Sequence, residues 1–322
     1  MSTVKVVMMA GPWTEWREQL ESVSPRVKAV AAHSDEDLLR EIPDAEVVYG
    51  RLPRASFLKA GRLRWAQSIG VGFETMLYPE MIESDVVITN TAGAFDAAMA
   101  EQALAFMLVH ARGLMHFERD RKDRIWDRHT DKVSQIHGKT ACVLGLGSIG
   151  RGIAARLNAL GVAVTAVDAQ VASPPAGVGR LFSADELLHA VSDADYVIVA
   201  LPQTESTTGL IDETCFSRMK ASAFLVNVAR GPIVNEADLV RALREKRIAG
   251  AGLDVFEEEP LPDSSPLWDM PGVVFAPHSA GYSPEGRGNI LRIFKENLRR
   301  YLAEEPLMNV VDKHKGYLIQ TS

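Results

Sequence analysis

Three segments of the chain carry polar residues where an apolar core would not choose them. The first is Asn227-Val228-Ala229-Arg230-Gly231, at the end of the apolar run Ala223 to Val228. An arginine beside a glycine at a strand end presents a fixed fork. Its guanidinium can clamp a carboxylate through two hydrogen bonds. An exposed surface arginine is the competing reading. The second segment is Gly252-Leu253-Asp254-Val255-Phe256-Glu257-Glu258-Glu259-Pro260, where consecutive glutamates read first as a solvated loop. The third is Pro277-His278-Ser279-Ala280-Gly281. Its histidine could move a proton near neutral pH, although a lone histidine is more often structural. Together they place an anion clamp, acids and a proton carrier at the ends of successive strands.

A fourth stretch points to a nucleotide. The run Thr140 to Leu144 leads into Gly145-Leu146-Gly147-Ser148-Ile149-Gly150, and Ile153, Ala154, Leu157 and Leu160 follow at helical spacing. This is strand, tight turn, helix. Gly145 suits the turn, Gly147 lets a pyrophosphate approach, and Gly150 lets the helix pack on the sheet. The helix N-terminus offers free N–H groups to phosphate. The next strand, Val162 to Val167, ends at Asp168, 18 residues beyond Gly150. A carboxylate there binds the adenine ribose hydroxyls of NAD and repels the 2′-phosphate of NADP. Ala169 and Gln170 supply no arginine, so NAD is expected over NADP.

The elements that must hold these residues alternate strand and helix throughout. In the N-terminal part, strands are expected at 4–10, Val27 to Ala32, Glu46 to Tyr49, Leu63 to Ile69 and Val86 to Thr89. Helices are expected at Trp13 to Val23 and Asp35 to Ile42, the latter capped by Ser34. That pattern implies a small doubly wound parallel sheet. Ligands of such sheets sit at C-terminal strand ends, which directs attention to Arg51 and to Gly70-Val71-Gly72. Ala97 to Arg112 reads as a helix apolar almost all round, buried on most sides, crossing between domains and suited to a dimer interface. The charged run Glu118 to Arg124, with Trp126 beyond, reads as a solvated surface segment. Strands then follow at Tyr196 to Ala200, Ala223 to Val228, Gly250 to Val255 and Val273 to Ala276. Helices fall at Ala184 to Val191, Glu213 to Met219 and Glu236 to Glu245, the last capped by Asn235. A long amphipathic helix, Pro284 to Glu305, can return the chain to its first domain.

The order arginine, acid, histidine on successive strands resembles the D-isomer-specific 2-hydroxyacid dehydrogenase family. The resemblance spans nearly the whole chain. It includes Gly145 to Gly150, Leu201-Pro202, Met219-Lys220, Asn227 to Gly231, Gly252 to Pro260 and Pro277 to Gly281. It implies an α/β protein of two doubly wound parallel-sheet domains. A flavodoxin-like substrate domain would take 1–98 plus 287–322, and a Rossmann NAD-binding domain 99–286. It further implies that Arg230 binds the substrate carboxylate, that Glu259 pairs with His278, and that His278 is the acid/base. Val71 and Gly72 would meet the substrate carboxylate through backbone amides, and Asp254 would face the nicotinamide end of the cofactor. Cofactor contacts would come from Gly145, Gly147, Ser148, Ile149, Gly150, Asp168, Leu201, Pro202, Val228, Ala229, Arg230, Asp254, His278, Ala280 and Gly281. The expected activity is NAD-dependent interconversion of small 2-oxo acids, such as glyoxylate or hydroxypyruvate, with D-2-hydroxy acids, in a homodimer. A carboxylate beside an imidazole favours its charged form, which suits proton donation.

Two departures from the family pattern are small: Ser148 stands where arginine is frequent, and Glu74 where aspartate is usual. An NAD(H)-sensing protein of the corepressor type and a short phosphoglycerate dehydrogenase are the alternatives on this fold. Arg51 could read a second anionic group of a substrate, or be a surface arginine. Phosphite is disfavoured, because that branch of the family has lysine at the position of Val71.

Composition excludes other classes. The chain has 322 residues, enough for two domains, and 47% are apolar, enough for real cores. A net charge of −7 argues against a nucleic-acid binder. The two cysteines, Cys142 and Cys215, give neither a disulfide framework nor metal-ligand spacing, and Cys142 reads as a small core residue. No metal is expected. No run is long enough to span a bilayer, and the apolar start is too short for a signal peptide, so a cytoplasmic protein is expected.

Overall fold

The computed structural model describes residues 3–9, 16–128 and 130–319. The chain divides into two compact units, Met1–Phe95 with Ser283–Ser322, and Asp96–Tyr282.

The first unit begins β1 (Val4–Met9), α1 (Arg17–Glu21), β2 (Val27–Ala32), α2 (Asp35–Glu41), β3 (Val47–Tyr49) and α3 (Arg54–Phe57). It continues β4 (Trp65–Gln67), α4 (Pro79–Ile82) and β5 (Val87–Thr89). The five strands form one parallel sheet in the order β2-β1-β3-β4-β5. Ser34 caps α2 as expected, its hydroxyl accepting from the Asp37 N–H at 3.1 Å. Of the first expected helix, Trp16 is the N-cap of α1, and 13–15 lie outside the described residues, as does Ala10 of the first strand. Strand β4 is shorter than the expected Leu63 to Ile69. Past Gln67 the chain turns, and the Ser68 hydroxyl donates to the Gly72 carbonyl at 2.7 Å.

The second unit opens with α5 (Asp96–Ala111) and α6 (Leu114–Asp123). Its sheet strands and helices are β6 (Thr140–Leu144), α7 (Ser148–Ala159), β7 (Ala163–Val167), β8 (Arg180–Phe182), α8 (Leu187–Ser192) and β9 (Tyr196–Val199). Then come α9 (Glu213–Arg218), β10 (Phe224–Asn227), α10 (Glu236–Arg244), β11 (Gly250–Leu253) and β12 (Val273–Phe275). All seven strands are parallel, in the order β12-β11-β10-β9-β6-β7-β8. Strand order reverses between β6 and β9, and dinucleotides bind at such a switch point. One apolar core lies on each face of this sheet. Cys142 and Cys215 are both buried there, and burial pushes each thiol up to about 12.

One expectation fails: α5 does not cross between the units. As expected, it is buried or half-buried on most sides, with Ala97, Glu101, Ala105 and Leu108 exposed along one stripe. It buries Ala100, Ala103, Leu104, Phe106, Met107 and Ala111. It belongs to the second unit from its first residue, packed so closely that a Cβ on Gly252 would come 2.5 Å from Phe106 Cβ. The charged run after it is a helix, α6, none of whose residues is buried.

The chain closes in the first unit with α11 (Pro284–Leu302), β13 (Val311–Asp312) and β14 (Tyr317–Leu318). Helix α11 buries Ile290, Leu291, Ile293, Phe294 and Leu298 against Val6, Met8, Tyr49 and Trp65 of the first sheet. It stops short of the expected Glu305, because Glu304 takes a left-handed φ of 57°.

Candidate active site

The glycine loop joins β6 to α7. Gly145 has φ of 96°, and a Cβ there would lie 2.8 Å from the Ala200 carbonyl oxygen at the end of β9. A Cβ on Gly150 would come 1.9 Å from the Gly145 carbonyl oxygen, so the first turn of α7 can rest on the loop only because position 150 lacks a side chain. Gly147 is the N-cap of α7, and a Cβ there would meet nothing within 4 Å. The loop therefore packs tightly inward at Gly145 and Gly150 and stays open at Gly147, as a phosphate cradle requires. The Ser148 hydroxyl donates to Asp96 at 3.0 Å, and Ile149 packs against the core beneath.

Asp168 follows β7 directly. One carboxylate oxygen accepts from the Leu146 N–H of the glycine loop at 2.7 Å. The other accepts from the N–H groups of Gln170 and Val171 at 2.7 and 3.0 Å. It thus braces the loop besides standing at the strand tip. Leu201 and Pro202 follow β9, and the Thr207 hydroxyl fixes the Pro202 carbonyl at 2.7 Å.

The three reactive segments end β10, β11 and β12. After β10, the buried Asn227 side chain clasps the loop, donating to the Arg230 carbonyl and accepting from the Ala229 N–H, each at 3.0 Å. Val228 and Ala229 are buried beneath it. Arg230 Nη1 donates to the Ala229 carbonyl at 2.7 Å, which folds the guanidinium back over its own loop. After β11, Asp254 is buried and accepts from the N–H groups of Ser279 and Ala280 at 2.9 to 3.0 Å. Burial pushes its carboxyl above the usual carboxylate range, with the Ala280 and Ser279 amides and His278 opposing. This anchor bends the chain after β12, where His278 adopts φ of 51° and its N–H donates to the Asp254 carbonyl at 2.8 Å. Glu259 Oε1 accepts from the Phe256 N–H at 3.0 Å, and Glu259 Oε2 meets His278 Nδ1 at 2.7 Å.

Glu259 and His278 thus touch, while the flanking acids do other work. Glu257 and Glu236 exchange hydrogen bonds from backbone N–H to carboxylate, at 2.9 and 3.2 Å, pinning the loop to α10. In the first unit, Arg51 lies two residues past β3, exposed, with Nη2 on Asp35 at 2.5 Å. Val71 and Gly72 form a half-buried turn after β4.

The sequence profile of the D-isomer specific 2-hydroxyacid dehydrogenase NAD-binding domain matches residues 104–280. The chain belongs to the D-isomer specific 2-hydroxyacid dehydrogenase family. It is 33% identical over 293 residues to a D-3-phosphoglycerate dehydrogenase of Archaeoglobus fulgidus, covering 89% of this chain and 55% of that protein. It is 32% identical to a glyoxylate reductase of Thermofilum pendens over 288 residues, 87% of this chain and 85% of the other. The chain thus spans about half the length of the phosphoglycerate dehydrogenases it matches. A solved D-isomer specific 2-hydroxyacid dehydrogenase of Xanthobacter autotrophicus, in complex with NADPH and MES, superposes with a TM-score of 0.87 at 29% identity. That match covers 98% of this chain and 100% of the other.

As a member of this family the chain carries a nicotinamide-nucleotide binding domain. The loop from Gly145 to Gly150 fits that role: open at Gly147, closed elsewhere, and headed by the N-terminus of a 12-residue helix. Among the described residues no group of His, Cys, Asp and Glu could hold a metal ion, and no helix is long and apolar enough to cross a membrane.

Proposed function

We propose that this protein reduces small 2-oxo acids to D-2-hydroxy acids with NADH, acting on glyoxylate, hydroxypyruvate or a close relative, as a homodimer. The observation that carries the reading is the 2.7 Å contact between His278 Nδ1 and Glu259 Oε2. With Nδ1 engaged, Nε2 is the ring nitrogen left to face a substrate oxygen. The bound cofactor supplies a hydride to the carbonyl carbon of the substrate. His278 donates a proton from Nε2 to the carbonyl oxygen, so the C=O double bond becomes a C–O single bond with a new C–H and a new O–H bond. Glu259 orients the ring and balances the imidazolium before the proton leaves. Arg230 clamps the carboxylate and polarises the adjacent carbonyl, which supplies both orientation and charge stabilisation. Asp254 holds the histidine loop by its amides, and Asp168 stands where an NAD ribose would be met. Asp168 favours NAD, whereas the Xanthobacter relative was solved with NADPH; the cofactor choice is therefore part of the proposal.

Steady-state rates with a panel of 2-oxo acids, with NADH and NADPH in turn, test the reading. His278→Ala should lower kcat by about 10²- to 10⁴-fold while NADH still binds. Near-wild-type turnover in that variant overturns the acid/base assignment.

A further inference from the structure

Of the ten buried polar or charged residues among the described ones, six lie behind a single turn of the first unit: Gln67, Ser68, Thr89, Asn90, Thr91 and Asn297. They form a connected set. Trp65 Nε1 donates to the Thr89 hydroxyl at 2.7 Å, and that hydroxyl donates to Gln67 Oε1 at 2.8 Å. Asn297 Nδ2 donates to the same oxygen at 3.3 Å. Burying polar side chains costs stability unless every group is matched, so such a concentration calls for a reason.

The reason is visible in the carbonyls of the turn. The Ser68 carbonyl accepts from Gln67 Nε2 at 3.0 Å, and that of Ile69 from the Thr91 hydroxyl at 3.3 Å. The Gly70 carbonyl accepts from the Thr91 N–H at 3.2 Å. The Val71 carbonyl accepts from Asn90 Nδ2 at 2.7 Å, and the Gly72 carbonyl from the Ser68 hydroxyl at 2.7 Å. All five are drawn inward. In a planar trans peptide the C=O and the following N–H point in opposite directions. Holding Gly70 and Val71 by their oxygens therefore turns the N–H groups of Val71 and Gly72 outward. Neither N–H has an acceptor among the described residues. Two successive outward N–H groups are an anion-binding concavity.

We propose that Asn90 and Thr91 are positioning residues, which commit the Gly72 and Val71 N–H groups to the carboxylate of the substrate. The inference rests on the reading of a 2-oxo acid reductase. Asn90 is itself held in place. Its Oδ1 accepts from the Ala92 N–H at 3.0 Å, its backbone N–H donates to the Asn309 carbonyl at 3.2 Å, and Asn309 Nδ2 donates to the Asn90 and Ala92 carbonyls at 3.3 and 2.8 Å. The segment after α11 thus sets the turn through Asn90. Aspartate at position 90 would keep the shape and the bond to Ala92 but lose the donor to Val71.

The experiment compares Asn90→Asp, Asn90→Ala, Thr91→Val and Thr91→Ser. Each is assayed for KM and kcat with glyoxylate, for NADH affinity by fluorescence, and for oxamate affinity by titration of the enzyme–NADH complex. A lost hydrogen bond to a charged group predicts about a tenfold or greater rise in KM and in the oxamate Kd for both Asn90 variants. NADH affinity should stay within about twofold, and kcat should fall less than KM rises. Thr91→Val and Thr91→Ser alter only the hydroxyl on the Ile69 carbonyl and keep the Thr91 N–H that holds the Gly70 carbonyl, so both should leave the oxamate Kd within about twofold. Should both Asn90 variants fail to fold, Asn309→Ala, which removes the donors to the Asn90 and Ala92 carbonyls, decides by raising the same constants. Unchanged oxamate affinity in the Asn90 variants, or in Asn309→Ala where it decides, or equal losses of NADH and oxamate affinity, overturns the proposal. The reading beneath it fails separately: if the wild type binds oxamate but turns over no 2-oxo acid, the reaction is wrong and the oxamate constants still judge the turn. If the wild type binds no oxamate at all, both fall.

Discussion

A Cβ on Gly231 would fall 1.8 Å from the Phe256 carbonyl oxygen and 2.5 Å from the Glu257 nitrogen, both backbone atoms. The residue after Arg230 is therefore glycine because the chain that carries Glu259 crosses it. Gly231→Ala must push the two loops apart, which should lower Tm by several degrees and cost more in kcat than in NADH affinity. Thermal melts and steady-state kinetics of the same preparation check this, and an unaltered kcat would mean the two loops do not act together. Asp168 makes a different demand. Its charge opposes a 2′-phosphate, but its oxygens also hold the Leu146, Gln170 and Val171 amides. Asp168→Ala should thus weaken NADH about tenfold or more and narrow the NADH-to-NADPH ratio, without producing a good NADPH enzyme. A wild type that prefers NADPH would reverse the cofactor assignment.

At the level of elements, α5 carries a titratable group against the sheet. The His110 ring stacks on Phe224 of β10, centroids 4.2 Å apart and planes 22° from parallel. Burial, with His116 adding to it, holds its pKa below the ordinary histidine value of 6.5. The folded chain therefore resists the proton more than the unfolded chain does. Stability is undisturbed above about pH 6.5 and falls as pH drops below it towards the folded pKa. Urea midpoints at pH 8 and pH 5 should differ by less in His110→Leu than in the wild type, and an equal difference would remove His110 as a source of acid sensitivity. Elements like this one were legible to different degrees. The glycine loop and the strand-end segments stood out because parallel strands are buried on both faces, so polar residues mark where they stop. Asn235 as the cap of α10 was equally plain, accepting from Asp238 N–H at 3.0 Å. Strand β8 escaped notice because three residues at a sheet edge carry almost no period. Ser68, Asn90 and Thr91 escaped because polar residues in a loop read as solvated. Only their burial shows that they face inward, and an Asn-Thr pair following a strand was the available hint. That Asp254 also anchors the Ser279 and Ala280 amides was not legible, because backbone partners leave no mark in the sequence.

At the scale of the molecule, the surface of α5 and α6 needs an explanation. Leu108 and Leu114 are exposed, Ile125 is 54% exposed and Trp126 is 97% exposed. A ten-residue helix with no buried residue has little to stabilise it, since isolated helices of that length are marginal in water. Large exposed apolar side chains recurring along one stretch of chain are a mark of an interaction site. In the proposed homodimer, a second copy would bring the same apolar residues to cover this surface. Sedimentation should then give a species of twice 35.2 kDa at micromolar concentration. Leu114→Glu and Trp126→Asp, neither of which opens a cavity in the chain's own core, should shift it towards the monomer and lower Tm as the helix loses its cover. A wild type that sediments as a 35.2 kDa particle over a hundredfold range of concentration would show that α6 is stable uncovered. The exposed aromatic would then need a partner of another kind.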